Sequence, residues 1–379
     1  MEELRLGVLA ESRKEHERRL PIHPWHVSAL DPKVRSRILL QEGYGAAFGI
    51  DDETLEGLVG GVRSRQEVVE ESDVLVLPKP TPSDLSEMRE GQILWGWAHC
   101  VQDEAITQAA IDGGLTVIAW EAMNHWRRDG SFALHVFHKN NELAGYCSVM
   151  HAMQLVGSTG EFGRRLRAAV ISFGATGRGA AQALSALGVQ DISVLTARPA
   201  ADVASPIHSV RLVTFARDPD HPGETLELDS EEESVAQFLA DHDIVVNCTL
   251  QDTDAPLIFV TNDELAMFRK GSLFVDVSCD AGMGFEWAQP TTFADPVFTV
   301  GDGLTYYAVD HSPSFLWDST TWEISEALRP HLPTVMAGPG RWDADPTISR
   351  AIEIRGGVIQ NPKILSFQHR SATPPHARY

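Results

Sequence analysis

The sequence lacks the marks of disulfide-bonded and metal-binding proteins. Its 379 residues include only four cysteines, and none of them has the CxxC spacing of a zinc or redox motif: Cys100, Cys147, Cys248 and Cys279. They predict buried thiols in a reducing compartment rather than a disulfide framework. The histidines show no spacing typical of metal ligands, so no metal site is predicted.

Positive charge and long apolar runs are also scarce. Lysine and arginine number 31 against 53 aspartates and glutamates, which gives a formal net charge of −22. A chain this acidic lacks the excess of positive charge that binds nucleic acid or an anionic membrane surface. No apolar run reaches the length of a bilayer span, and the first residues lack the layout of a signal peptide. The sequence therefore predicts a cytoplasmic protein that binds small molecules.

What the chain does contain is a repeated alternation of short apolar runs and helical patterns. The first alternation fills the first third of the chain, and a second begins at Ala168. Parallel strands need crossover connections, so strands alternating with helices predict an α/β fold with parallel sheets. Residues 137–156 are typical of one long helix between the two alternations. Residues 200–234 are polar and acidic and are interpreted as mostly a surface excursion.

A glycine-rich turn joins an apolar strand to a helical pattern early in the second alternation. Gly174 and Gly177 stand where the second and third glycines of a GxGxxG fingerprint belong, and Ser172 replaces the first. Such a turn lets backbone approach a pyrophosphate, and the helix N-terminus supplies N–H groups. We predict a dinucleotide site here, with Thr176 and Arg178 in the same turn. The alternative is an ordinary strand–turn–helix.

The next predicted strand ends without a carboxylate. NAD-preferring sites place an acidic residue there, against the ribose 2′-hydroxyl. Here Thr196 ends the strand and Arg198 follows it, and both can bind a 2′-phosphate, with Arg178 as a further cation. The sequence therefore favours NADP(H) over NAD(H), unless Arg198 is simply a solvated surface residue.

Three polar positions stand out in the first third. Arg19, beside Arg18, lies just ahead of a predicted helix start, while Lys79 and His99 follow predicted strands. Residues at the carboxyl ends of parallel strands meet at the ligand-binding edge of a sheet. There an arginine can bind a carboxylate, and a lysine and a histidine can transfer protons. Each of them, taken alone, is more often a surface or structural residue.

Nearly the whole chain resembles the alanine dehydrogenase and transhydrogenase N-terminal superfamily. Within it, the sequence is more similar to lysine-forming saccharopine dehydrogenase and to N5-(carboxyethyl)ornithine synthase. Matching segments keep their order along the chain: an Arg-x4-Pro pattern from Arg19 to Pro24, Lys79, His99 after a Gly-Gln-Ile-Leu segment, Asn-Glu-Leu-Ala-Gly around Glu142, Asp-Val-Ser-Cys-Asp ending at Asp280, and Asp-His-Ser-Pro-Ser from Asp310.

The resemblance implies roles for residues of the first half. Arg19, helped by Arg18, would hold the carboxylate of the substrate. Lys79 and His99 would be the catalytic acid and base, in either assignment. Glu142 lies in the segment similar to the family's linking helix and is assigned to substrate binding.

It implies roles in the second half as well. Asp280 would act near the nicotinamide. Asp310 would position the amine, unless it only caps the helix that follows. Cys248 and Leu250 lie in a segment similar to the carboxyethylornithine synthases and are assigned to cofactor binding.

The architecture implied by the resemblance is two Rossmann-like domains with parallel sheets flanking a cleft. The outer, discontinuous substrate domain would comprise residues 1–137 and 305–379. The NADP-binding domain, with the linking helix, would comprise residues 138–304. Closure over the cofactor would exclude water from the reacting atoms.

The predicted function is an NAD(P)-dependent oxidoreductase acting on CH–NH donors. It would use NADPH to condense a pyruvate-like 2-oxo acid with the amine of an amino acid, or catalyse the reverse oxidation. One alternative is an alanine-type amino-acid dehydrogenase that uses ammonia. An alternative of another class is a catalytically silent NADP-binding protein. The sequence predicts no nucleic-acid or membrane partner and is compatible with a homo-oligomer.

Overall fold

The computed structural model describes residues 3–197, 210–217, 226–228 and 234–379. The chain forms two compact units, one from Met1–His138 with Trp317–Tyr379 and one from Lys139–Leu316. Within the described ranges, no helix combines the length and hydropathy needed to cross a bilayer. No group of three or more His, Cys, Asp or Glu side chains in these ranges is arranged to hold a metal ion.

The elements are numbered in chain order. The first segment contains β1 (Leu6–Val8), α1 (Pro32–Arg35), β2 (Ile38–Gln41), α2 (Asp52–Glu56), β3 (Gly61–Arg63), α3 (Arg65–Glu71), β4 (Val74–Val76), α4 (Pro82–Leu85), β5 (Ile93–Gly96), α5 (Glu104–Asp112), β6 (Thr116–Ala119), β7 (Asn124–Trp126) and β8 (Phe132–His135). The middle segment contains α6 (His138–Leu155), β9 (Arg167–Ile171), α7 (Ala175–Ala186), β10 (Asp191–Thr196), β11 (Val210–Arg217), β12 (Leu226–Leu228), α8 (Val235–Ala240), β13 (Ile244–Asn247), β14 (Ile258–Val260), β15 (Leu273–Asp276), β16 (Gly284–Phe285), β17 (Val297–Val300) and β18 (Leu304–Tyr307). The last segment contains α9 (Trp317–Leu328), α10 (Leu332–Met336), α11 (Pro339–Trp342), α12 (Pro346–Ser349), β19 (Ile352–Arg355), β20 (Val358–Ile359) and α13 (Pro362–Phe367).

The sheet of the first unit has the order β20-β19-β6-β5-β4-β1-β2-β3. Strands β1 to β6 are parallel, and β19 and β20 extend the sheet in antiparallel fashion. Successive residues of β4 point to opposite hydrophobic clusters, Val74 and Val76 to one and Leu75 to the other. Both faces of the sheet are therefore buried, as is usual for parallel sheets.

The sheet of the second unit has the order β12-β11-β10-β9-β13-β15-β18-β17. Its strands are parallel except for β12 and β17, which lie at the two edges. Helices α6 and α7 approach very closely, since a Cβ at Gly145 would lie 1.9 Å from the Thr176 carbonyl oxygen and one at Gly179 would lie 1.8 Å from that of Glu142. The α/β prediction, with parallel sheets in two domains, is confirmed.

Two details differ from the sequence-based expectations. Val210–Arg217, within the expected surface excursion, forms β11 and pairs with β10. The unit boundary falls after Leu316 rather than after residue 304. The reason is that β18 pairs with β15 and therefore belongs to the second sheet.

Candidate active site

Lys79 and His99 follow adjacent parallel strands of the first sheet, and Glu121 follows the next. The His99 backbone N–H donates to Glu121 Oε1 at 2.5 Å. The positive charge of Lys79 favours the ionised form of the same carboxyl, although burial and Glu353 affect its pKa more strongly in the opposite direction. The backbone carbonyl of Lys79 accepts a hydrogen bond from the Ser12 hydroxyl, which lies beyond β1. The structure thus brings the two predicted catalytic residues beside a glutamate that the sequence interpretation did not include.

The Glu121 carboxyl faces a second buried carboxyl, that of Glu353 on β19. Oε2 of each is buried without a hydrogen-bond partner among the residues that the structure describes. Glu353 Oε1 accepts from Asn361 Nδ2 at 2.9 Å. Burial and the proximity of Glu353 raise the pKa of Glu121 to about 8, and burial raises the pKa of Glu353. The pair therefore retains a proton at neutral pH.

Arg19 is buried and firmly oriented. Its side chain is 3% exposed, and its guanidinium forms a bidentate pair with Glu17, with Nε donating to Oε1 at 2.8 Å. The guanidinium also lies 4.9 Å from the ring centre of Trp97, two residues before His99. Arg18 is exposed and lies over Trp317, at 4.6 Å from the ring centre. Arg19 is therefore near the His99 segment, and Arg18 points elsewhere.

In the second unit, the glycine-rich turn fits a dinucleotide. Ser172 has φ 78°, so it adopts the left-handed conformation of the tight turn that follows β9. A Cβ at Gly177 would lie 2.2 Å from the Ser172 carbonyl oxygen, while one at Gly174 would meet no described atom within 4 Å. Gly174 caps α7, and no side chain in the described ranges caps that helix end. The open space and uncapped N–H groups suit a pyrophosphate.

The residues around this turn differ in accessibility. The Arg178 guanidinium lies 4.4 Å from the ring centre of Phe173, at the start of α7. Thr176 is half-buried in the same helical turn. Thr196 ends β10 and is only 2% exposed. Arg198 lies outside the described residues. Of the predicted 2′-phosphate ligands, Arg178 is therefore the accessible one that the structure describes.

Cys248 and Leu250 lie beyond β13, next to the turn. The Cys248 backbone N–H donates to the Ile171 carbonyl at 3.0 Å, which holds this loop against the end of β9. The Cys248 thiol is buried, and burial raises its pKa. Leu250 is 97% exposed.

The loop after β15 carries Asp280 and rests on Asp276. Asp280 is half-buried, whereas Asp276 is fully buried. Burial, with a smaller contribution from the nearby Asp280, raises the pKa of Asp276 to about 7. The sequence interpretation gave Asp276 no role. Two signals were available, its place at the end of an apolar strand and its position at the start of the Asp-Val-Ser-Cys-Asp segment.

Asp310 and Glu142 also lie in the second unit. Asp310 Oδ1 is 2.6 Å from Nδ1 of the buried His311. Asp310 had been expected in the outer domain, and it falls in the second unit because the chain stays there until Leu316. Glu142 forms an ion pair with Lys139 at 2.7 Å near the start of α6.

Comparison with known proteins agrees with this architecture. The family model of the alanine dehydrogenase/PNT N-terminal domain matches residues 7–142, and that of the C-terminal domain matches residues 144–362. An N(5)-(carboxyethyl)ornithine synthase from Clostridium botulinum is 26% identical over 341 residues, covering 87% of this chain and 94% of the relative. An alanine dehydrogenase from Mycobacterium tuberculosis is 26% identical over 387 residues, covering 96% of each chain.

A solved L-alanine dehydrogenase has the same fold. It superposes with a TM-score of 0.74 at 20% identity, covering 96% of this chain and 99% of that one. The family models together span most of the sequence, and the predicted resemblance is confirmed. The chain therefore belongs to the alanine dehydrogenase/PNT family and is an oxidoreductase acting on CH–NH donors.

Proposed function

We propose that the protein condenses a 2-oxo acid with the amine of an amino acid and reduces the product with NADPH, giving a secondary amine. The observation that carries the proposal is the grouping of Lys79 and His99 around Glu121, with Arg19 stacked on Trp97 in the His99 segment. An anion-binding group next to two proton-transfer groups suits a 2-oxo acid, because its carboxylate must be bound and its carbonyl oxygen must be protonated and lost as water.

Arg19 binds the carboxylate of the 2-oxo acid. Glu17 fixes the guanidinium plane through its bidentate contact, which limits the rotamer freedom lost on binding. Lys79 and His99 divide the acid and base roles. One takes a proton from the incoming ammonium group, so that the free amine attacks the carbonyl carbon, and the other protonates the carbonyl oxygen.

Loss of water from the carbinolamine then gives an iminium, and the same pair supplies the proton that leaves with the hydroxyl. When bound, NADPH supplies the hydride that reduces the iminium carbon. Negative charge from Asp280 and Asp310 favours the iminium over the neutral imine. The overall reaction consumes one oxo acid, one amine, NADPH and a proton, and yields the secondary amine, NADP⁺ and water.

NADPH is proposed over NADH because β10 ends at Thr196, with Ala197 after it, rather than at a carboxylate. An acidic residue there would repel a 2′-phosphate. The guanidinium of Arg178, at the start of α7, is a suitable partner for that phosphate. Thr196 is buried, which makes Arg178 the main determinant that we propose.

A second candidate is reductive amination with free ammonia. It is favoured by the similarity to an alanine dehydrogenase, which is as high as that to the carboxyethylornithine synthase, 26% in both cases. The same Arg19, Lys79 and His99 would serve a smaller amine.

One assay separates these candidates. Purified protein is given pyruvate with each of a panel of amino acids, or with ammonia, and the oxidation of NADPH and of NADH is followed. We expect NADPH consumption with one or more amino acids, and mass spectrometry should identify the secondary amine. Turnover with ammonia alone would replace the proposal by the second candidate. A protein that binds NADPH but turns over no pair of substrates would contradict both.

A further inference from the structure

A buried carboxylate lies directly beneath the loop that carries Asp280. Asp276 is the last residue of β15 and is fully buried. Its Oδ1 accepts hydrogen bonds from the backbone N–H groups of Ser278 at 3.1 Å and Cys279 at 3.3 Å. The carboxylate therefore holds the two residues that immediately precede Asp280.

The same carboxylate is fixed from two neighbouring strands. Asn247, at the end of β13, donates its Nδ2 to Oδ1 at 3.1 Å. Tyr306, in β18, donates its hydroxyl to Oδ2 at 2.8 Å. Because β13 and β18 flank β15 on either side, Asp276 joins the ends of three adjacent parallel strands.

This arrangement also joins two loops at the edge of the second sheet. The Asn247 Oδ1 accepts from the Thr249 backbone N–H at 3.2 Å, and the Ser278 hydroxyl donates to the Thr249 carbonyl at 2.6 Å. The loop that carries Cys248 and Leu250 and the loop that carries Asp280 are thus tied together at Asn247 and Asp276.

The backbone next to Asp280 is held in an unfavourable conformation. Cys279 has φ 58°, in the left-handed region that a residue other than glycine rarely adopts. Such a conformation persists only where surrounding contacts impose it. Two contacts with Asp276 do so, the bond from the Cys279 backbone N–H and a bond from its thiol to the Asp276 carbonyl, with Sγ at 3.2 Å from the oxygen.

We propose that Asp276 is a positioning residue that sets the direction of Asp280 by holding residues 278 and 279 against the ends of β13 and β18. The proposal rests on the proposed function in one respect, that Asp280 acts in the reaction. Asparagine at position 276 retains an oxygen for the two backbone N–H groups and can donate to the Tyr306 hydroxyl. Alanine removes every side-chain contact and keeps the bond from the Cys279 thiol to the backbone carbonyl of residue 276.

The kinetic test compares Asp276→Ala with Asp276→Asn. We expect kcat to fall by roughly thirtyfold in the alanine variant and to recover to within roughly threefold of wild type in the asparagine variant, as in other losses of catalytic geometry. The KM for the amine and the oxo acid should change less than kcat, since their binding groups are elsewhere. Equal losses in both variants, or an unchanged kcat in Asp276→Ala, would overturn the proposal.

Two adjacent tyrosines supply a matched pair for the case in which Asp276→Ala does not fold. Tyr306→Phe removes a donor to Asp276, while the Tyr307 hydroxyl lies 3.1 Å from Nδ1 of His151 and does not contact Asp276. We expect Tyr306→Phe to lower kcat severalfold and Tyr307→Phe to leave it unchanged. Equal kinetics in the two variants would overturn the proposal.

A thiol probe reports on the loop without turnover. Cys279 is half-buried, whereas Cys100, Cys147 and Cys248 are buried, so iodoacetamide should modify Cys279 first. We expect modification about tenfold faster in Asp276→Ala and near the wild-type rate in Asp276→Asn, because local opening exposes the thiol. The Cys279→Ser variant should lose the fast modification, which shows that Cys279 is the thiol being modified. An unchanged rate in Asp276→Ala would overturn the proposal, and absence of NADPH oxidation in wild type would count against the proposed function alone.

Discussion

The two sheets have the same central strand order, but they carry different chemical groups at the point where that order reverses. In the first sheet β1 lies between β2 and β4, and in the second β9 lies between β10 and β13. Ligands of open α/β sheets bind at the carboxyl ends of the strands beside such a point. The shared order therefore provides two equivalent places for a ligand, and local sequence determines what each one binds.

The segment that follows the first central strand makes the difference. After β9 the chain turns at Ser172 and starts α7 at once, so that backbone N–H groups line the edge. After β1 there is no glycine before residue 43, and in this fully described stretch no helix begins until the 3-10 helix Pro24–Ala29. The second sheet thus offers backbone donors to an anion, while the first offers the side chains Lys79 and His99.

The buried carboxyls of the two units also differ, in the hydrogen bonds that they accept. Asp276 accepts four hydrogen bonds, from two backbone N–H groups, an amide and a phenol. Glu121 Oε2 has no partner among the described side chains and backbone groups. A carboxylate with hydrogen-bond donors on both oxygens is suited to holding structure, and one beside Lys79 with an unpaired oxygen is suited to exchanging a proton.

The largest expected effect is the loss of chemistry without the loss of cofactor binding. Lys79→Ala should lower kcat by roughly 10²- to 10⁴-fold, the usual contribution of a general acid or base. The affinity for NADPH, measured by fluorescence titration, should stay within about twofold of wild type, because the proposed cofactor site is built by the second unit.

The exposed Lys33 provides the control, and Lys33→Ala should behave as wild type. Retained turnover in Lys79→Ala would contradict the proposal that the first sheet supplies the proton-transfer groups and the second binds the cofactor. If wild type binds NADPH but neither protein turns over, the silent NADP-binding protein becomes the better interpretation.

Two glycine substitutions separate packing from ligand binding in the second unit. Gly177→Ala should destabilise the protein by about 1–3 kcal/mol, since the added methyl would overlap the Ser172 carbonyl. Gly174→Ala should leave the thermal midpoint nearly unchanged, because no described atom lies within 4 Å of the new Cβ. It should nevertheless weaken NADPH binding by roughly tenfold if the pyrophosphate occupies that space.

Calorimetry and NADPH titration measure the two effects separately. Wild-type affinity in Gly174→Ala would show that the open space above the turn does not hold the pyrophosphate. The proposal that the second sheet offers its backbone N–H groups to an anion would then be contradicted.

Arg178 should determine the choice between the two nicotinamide cofactors. Arg178→Ala should reduce the ratio of kcat/KM for NADPH to that for NADH by about tenfold, the value of one charge-assisted contact to a 2′-phosphate. Arg165→Ala, at an exposed position, is the matched control. An unchanged ratio would remove Arg178 from the proposed 2′-phosphate site.

The sequence predicted well whatever depends on local pattern. Apolar runs predicted the positions of most central strands, and the spacing of Gly174 and Gly177 predicted the start of α7. Glu121 follows an apolar run, as Lys79 and His99 do, and was still missed. Only the register of β5 and β6 shows that it reaches the His99 N–H. The strand β11 was missed because it lies within a polar and acidic segment, and because Arg211, Thr214 and Arg217 interrupt its apolar residues without the alternation of a half-buried strand.

The last expected effect is a pH dependence of stability that belongs to the first unit. The pKa of Glu121 is about 8 in the folded chain against an ordinary value of 4.5. The unfolded chain therefore releases this proton first as pH rises, so the folded state loses stability between pH 4.5 and about 8. Glutamine cannot ionise, and Glu121→Gln should become more stable relative to wild type over that interval, by up to about 1.4 kcal/mol for each unit of pH.

Urea unfolding of both proteins at several pH values, followed by tryptophan fluorescence, measures the difference. Glu90→Gln, at an exposed position, should follow wild type at every pH. Parallel curves for wild type and Glu121→Gln would mean that the carboxyl is ionised in the folded chain throughout. In that case Glu121 would act as a fixed negative charge beside Lys79 rather than as a group that exchanges a proton.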